Sequence, residues 1–294
     1  MSNTNPIQPL VFEPISLSHK ERVETIRKAF GNTLYVYTFA SLFSWQQEEQ
    51  YEICFLGNAF VIKNGAQGEN AYLFPCGEES DKKKLIDILL NSEKPDFCSL
   101  TAQDKLFLEN EYPNCFLFSE CRDEFVYLYD REEQVELSGN KFKRVRHKIN
   151  SGRSEAEKWE IEALSRDNIE RALLINQKWS ELSGNTLADT SAARKALENF
   201  KELSMWGLLF KADGQDAAFV AGLFVTDEIF DLCFCKVLSK GCDYFVRWSS
   251  YCTLPNEVKT IDCEDDLGIE GLRINKLSCQ PKELVHIWKG SYNK

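Results

Sequence analysis

The stretch MWGLLFKADGQDAAFVAGLFVTDEIFDLCFCKVL, residues 205–238, decides the fold. Apolar runs of strand length are separated by two turn signals, Asp213-Gly214 and Asp227-Glu228. The first is a dipeptide suited to a tight hairpin, because both central residues of such a turn take positive φ. The spacing predicts a three-stranded antiparallel meander. Its cysteines and phenylalanines read as core material.

Working outward from this meander, the same order recurs in the first half of the chain. Helices are expected over 18–30 and 38–48. Strands follow at 51–56, 59–63 and 71–75, with Gly57-Asn58 as a hairpin turn. Helices near 80–91 and 101–111 and strands at 115–119 and 125–129 complete that half. The second half reads as a basic helix at 138–152, a strand at 157–164, helices at 167–183 and 190–203, the meander, and a helix at 241–253. A strand EVKTIDC, a loop and helix at 264–277, and a last strand ELVHIWKGSY close the chain. Antiparallel meanders alternating with helices give an α+β class with mixed sheets. The doubled order predicts two domains, 1–135 and 136–294.

The bulk properties narrow the function. The 294 residues are 43% hydrophobic and 28% charged, which is ordinary globular composition. A net charge of −11 disfavours broad binding to nucleic acid or anionic lipid, so a polyanionic partner needs a local basic patch. No run of about 18 apolar residues occurs, so no membrane span is expected. The polar N-terminus has no apolar segment of signal type, and a cytoplasmic location is expected. The eleven cysteines are odd in number and lie mostly in apolar runs, as reduced core residues do. No paired Cys or Cys/His motif suggests zinc, and no metal is expected.

Two stretches carry candidate chemistry. SGNKFKRVRHKINSGRS, residues 138–154, concentrates cations with no acid among them. On a helix Lys141, Arg144 and Lys148 share a face, a pattern able to contact phosphates. A solvated helix is the plainer reading. CEDDLGIEGLRINKLSCQP, residues 263–281, ends a strand in Glu264, Asp265 and Asp266. Gly268 and Gly271 then allow a tight turn, and Arg273 and Lys276 follow on one helix face. Carboxylates opposed by two cations can hold an ammonium group and an anion together. A helix-capping loop is the plainer reading here, although capping requires only one acid. The three histidines, His19, His147 and His286, form no catalytic set. Neither GxxxxGK[ST] nor GxGxxG occurs.

The segments FASLFSW (39–45), AYLFPCG (71–77), LSGNKFKRVRHKIN (137–150), DGQDAAFVAG (213–222) and EDDLGIEGLRINKLSCQP (264–281) together resemble an uncharacterised bacterial family. That family is similar to the C-terminal domain of phosphatidylglycerol lysyltransferases. The chain departs from its pattern at His147, where Asn is usual, and at Cys279, where an aromatic residue is usual. The resemblance implies two tandem N-acetyltransferase-like domains of the Fem type. It also implies transfer of an aminoacyl group from aminoacyl-tRNA to an amine, hydroxyl or lipid-headgroup acceptor, with no bound cofactor. Lys141, Arg144, Arg146 and Lys148 would then contact tRNA phosphates. Asp265 or Asp266, beside Glu264, would hold the donor's α-ammonium or deprotonate the acceptor. Arg273 and Lys276 would stabilise the oxyanion or bind an acceptor phosphate. These roles expect the basic helix and the acidic loop to line one cleft. Acyl-CoA is the alternative donor, although SKGCDYF (239–245) offers only Gly241 for a pyrophosphate turn. A non-catalytic binding module is the alternative from another class.

Overall fold

The computed structural model describes residues 9–183 and 187–293. The chain forms two compact units, one of Met1–Glu124 with His286–Lys294 and one of Phe125–Val285.

The first unit contains β1 (Glu13–Pro14), α1 (Lys20–Ala29), α2 (Phe39–Trp45), β2 (Tyr51–Leu56), β3 (Ala59–Asn64), β4 (Ala71–Gly77), α3 (Glu79–Ser92), β5 (Asp96–Leu100), α4 (Ala102–Glu111) and β6 (Phe116–Glu120). The second contains β7 (Val126–Asp130), α5 (Arg131–Glu136), α6 (Lys143–Arg153), β8 (Trp159–Ala163), α7 (Ile169–Ser183), α8 (Leu187–Glu198), β9 (Trp206–Ala212), β10 (Gln215–Phe224), β11 (Ile229–Val237), α9 (Asp243–Thr253), β12 (Thr260–Asp262), α10 (Glu270–Ser278) and β13 (Glu283–Val285). A last strand, β14 (Trp288–Tyr292), returns to the first unit.

Each unit is built on a mixed seven-stranded sheet. The orders are β1-β2-β3-β4-β5-β14-β6 and β13-β7-β12-β11-β10-β9-β8. The α+β class therefore holds. Two differences from the sequence reading concern strand membership. The boundary expected at 135/136 falls inside the second unit, because β7 pairs with β12 and β13. The stretch read as one last strand is two strands in different sheets: β13 pairs with β7, and β14 lies between β5 and β6. Both pairings are non-local, and periodicity within a segment does not encode them.

The meander is β9, β10 and β11, as its turn chemistry requires. Asp213 and Gly214 both have positive φ, 49° and 79°, and join β9 to β10 in a two-residue turn. The β10–β11 register shifts between Ala221 and Leu223, where β11 bulges. Glycine is required opposite the bulge: a Cβ on Gly222 would lie 2.2 Å from the Asp231 carbonyl oxygen.

Candidate active site

The bulge and the end of β12 together open the second sheet. β11 runs parallel to β12 only from Ile229↔Thr260 to Asp231↔Asp262. Beyond that point the chain leaving β12 stays with β7. Cys263 N donates to the Tyr127 carbonyl, and Tyr127 N donates to the Glu264 carbonyl. β11 meanwhile continues to Val237, paired with β10. Two parallel strands thus part at their C-terminal ends, where α/β folds place ligands.

Ionisable side chains gather at this fork. Asp231 and Asp262 face each other across the last paired position. Glu264 follows β12, and Cys233 follows Asp231. Ligating atoms of Asp231, Cys233 and Glu264 all lie within 4.8 Å of one another. The Cys233 thiol donates to Asp231 Oδ2 at 3.3 Å, while Asp231 Oδ1 is buried and accepts no hydrogen bond from a described residue. Glu264 N donates to Asp262 Oδ1 at 2.7 Å. Burial dominates the electrostatics. It raises Asp231 well above the usual carboxylate range, and the charge of Asp262 adds to this. Burial also pushes Asp262 up to about 7. Glu264 is raised by burial and then by Asp231, and the Cys233 thiol by the same two causes. Buried carboxyls that crowd one another hold protons near neutral pH, a pattern concentrated at functional sites.

Lys236, also buried, lies beside this cluster. Its ammonium pairs with Asp189 and sits 3.6 Å from the centre of the Trp179 ring. Burial lowers its pKa, against the pull of Asp189. Asp231 and Lys236 stand at an odd spacing, which in a regular strand would put them on opposite faces. The bulge restores them to one face, the face covered by α7 and α8.

The expected acidic loop forms the wall of the fork. Asp266 has no exposed surface and its oxygens are engaged. Arg273 donates to both of them, Nε at 2.9 Å and a terminal nitrogen at 2.8 Å. The Tyr127 hydroxyl donates at 2.6 Å and Gly268 N at 3.0 Å. Lys276 donates to the carbonyls of Cys263 and Asp265. Asp265 Oδ1 accepts Leu267 N at 3.0 Å. These bonds hold Glu264 and Leu267 at positive φ, 56° and 51°, which costs a side-chain-bearing residue about 1 kcal/mol or more each. Asp266, Arg273 and Lys276 thus shape the loop through these bonds. Among the loop's acids Glu264 reaches Asp231 and Cys233, and the charge of Asp265 raises both Glu264 and Asp262 from beside them.

The basic stretch lies elsewhere. Asn140–Phe142 forms a 3-10 turn and the α-helix begins at Lys143, so Lys141 is not on the helical face expected for it. Lys141 pairs with Glu133 at 2.7 Å. Arg146 donates to the Leu137 and Gly139 carbonyls. Lys148 lies 4.2 Å over the Tyr244 ring and donates to its hydroxyl. Arg144 and His147 are exposed. Val145 and Ile149 pack with Phe245, Phe230 and Leu232, and Cys235 and Val237 join that core. Asp231 and Lys236 alternate with these core residues along β11, so they point to the opposite face of the sheet. The basic helix and the carboxyl cluster therefore do not line one cleft. Strand alternation separates them.

Sequence reasoning missed Asp231, Cys233, Lys236, Asp262, Asp189 and Trp179. The available signal was a lone Asp and a lone Lys inside the apolar run IFDLCFCKV, at positions where an ordinary core strand buries neither.

Residues 27–242 match the family described as phosphatidylglycerol lysyltransferase, C-terminal. No curated protein sequence matches the chain. Among solved structures, a conserved protein of unknown function from Bacteroides thetaiotaomicron is similar with a TM-score of 0.87 and 26% identity, over 96% of this chain and 99% of the other. L-PGS from Bacillus licheniformis is similar with a TM-score of 0.65 and 12% identity, over 98% and 95%. FemX is similar with a TM-score of 0.57 and 9% identity, over 95% and 97%. The fold is the one shared with L-PGS and FemX. Among the described residues no helix is long and apolar enough to cross a membrane.

Proposed function

Because the chain belongs to the phosphatidylglycerol lysyltransferase C-terminal family, we propose that it transfers an aminoacyl group from aminoacyl-tRNA to an amine or hydroxyl acceptor, a lipid headgroup among them. The observation that carries this reading is the cluster where β11 and β12 part, with Asp231 and Asp262 buried and Glu264 half-buried beside them. Crowded acids suit a cationic ligand, and the α-ammonium of an aminoacyl ester supplies that charge beside the reacting carbonyl. In this reading the arriving ammonium displaces the protons of Glu264 and Asp231, and the two carboxylates hold it. Asp262, pushed up to about 7, takes the acceptor's proton as the acceptor attacks the ester carbonyl. The tetrahedral adduct then expels the terminal ribose hydroxyl of the tRNA, which leaves with a proton. The donor ester is already activated, so positioning supplies much of the rate. Asp265, Asp266, Arg273 and Lys276 act by fixing the loop that aims Glu264.

Acyl-CoA is the less suitable donor. Asp243 opens the first turn of α9, where a bound pyrophosphate would meet a like charge.

Glu264→Gln keeps the size and removes the charge. It is expected to lower transfer from charged tRNA by about 100-fold or more, an effect comparable to losing one charge-stabilising donor in an active site. A single-turnover assay with labelled aminoacyl-tRNA measures it. On α6, Arg144 is exposed and suited to a tRNA phosphate. Arg144→Glu should weaken tRNA retention on filters and flatten its salt dependence by roughly one phosphate contact. If no charged tRNA is retained at low salt by the unaltered protein, the donor assignment is wrong.

A further inference from the structure

The fork holds a ligand set that the proposed transfer does not use in full. We propose that Asp231, Cys233 and Glu264 form a binding site for a thiophilic divalent cation of the zinc class. Ligating atoms of the three residues lie within 4.8 Å of one another. The 3.3 Å separation of Cys233 Sγ from Asp231 Oδ2 is close to the edge of a tetrahedron built on metal–sulfur and metal–oxygen bonds of about 2.3 and 2.0 Å. The remaining Asp231 oxygen gives the independent sign of a ligand. It is fully buried and takes no hydrogen bond from a described residue, a state that a folded chain seldom leaves uncompensated.

Charge and ligand type agree with this choice. The carboxyls of Asp189, Asp231, Asp262 and Glu264 outnumber the ammonium groups of Lys236 and Lys276, and Lys236 is already paired with Asp189. A site this rich in acids suits a divalent cation, which binds as its ligands give up their protons. The thiolate selects zinc-class ions over magnesium or calcium, which prefer all-oxygen sites. Three protein ligands leave a fourth position open. The usual sequence motifs do not reveal the site, because its ligands come from a strand and from a loop beyond the following helix rather than from a paired Cys or His motif. The ion and an ammonium group would claim the same carboxyls, so the ion would exclude the donor. That regulatory consequence rests on the proposed function, whereas ion binding itself does not.

The test is a titration of the full chain with cobalt(II), a spectroscopic stand-in for zinc. One equivalent should produce a thiolate-to-cobalt charge-transfer band in the near ultraviolet. The band should disappear in Cys233→Ser and Asp231→Asn and persist in Cys252→Ser, which removes an exposed thiol. Zinc should raise the melting temperature of the unaltered protein and of Cys252→Ser, but not of Cys233→Ser. Absence of the band in the unaltered protein, or its survival in Cys233→Ser, overturns the site. Circular dichroism of each variant separates lost ligation from lost folding. A cobalt site with these properties in a protein that never transfers an aminoacyl group would sink the functional reading and leave the metal site standing.

Discussion

Replacing Arg273 by alanine is expected to destabilise the protein by about 3 kcal/mol or more, read as a lower urea midpoint. The reason is what Arg273 leaves behind. Asp266 is completely buried and takes hydrogen bonds on both oxygens from this one guanidinium. The Tyr127 hydroxyl and Gly268 N also donate to it, but neither brings the positive charge that a desolvated carboxylate needs. Removing one partner of a buried pair is far costlier than removing both. Arg273→Ala with Asp266→Ala should therefore fall short of the sum of the single effects by roughly 1–3 kcal/mol. Strict additivity would show that the pair is not coupled and that the loop does not depend on it.

Asp262→Asn is expected to act in the other direction, and its effect should depend on pH. Asp262 is pushed up to about 7, mainly by burial. In the unfolded chain an aspartate ionises near ~4. The folded state thus binds a proton that the unfolded state releases across this window. Stability falls as pH rises from about 4 to about 7 and is level, for this group, above it. Asparagine removes that dependence and can still accept the bond from Glu264 N. The variant should be more stable than the unaltered protein by at most about 4 kcal/mol at pH 8, with a smaller gap at pH 5. Melting temperatures at the two pH values decide it. A gap that does not widen with pH would mean that the fork is wet and its acids ordinarily ionised. The same substitution should slow transfer, so stability gained with activity lost is the joint signature of a strained site.

Much of the fold was legible because its signals are local. The Asp213-Gly214 turn, the apolar runs around it and the alternation of helices with meanders predicted the three strands now seen as β9, β10 and β11. The site was legible only in part. The acidic loop was conspicuous because three acids in a row are unusual, yet the same prominence hid their division of labour. Asp266 reads as a reactive carboxylate and lies buried against Arg273, whereas Glu264 reaches the cluster. Lys141, Arg146 and Lys148 read as phosphate contacts and have partners within the unit.

Sequence alone determined the α+β class, the meander and its tight turn, because each follows from periodicity and turn chemistry within a few residues. Tertiary structure alone decided that β14 joins the first sheet and β7 the second, and that the β11 bulge turns Asp231 and Lys236 to one face. It also decided that Asp231, Cys233, Asp262 and Glu264 meet. The physical reason is distance along the chain: β11 and the loop after β12 are separated by a helix, and only the pairing of parallel strands, followed by their parting, brings Asp231, Cys233 and Glu264 within 4.8 Å of one another.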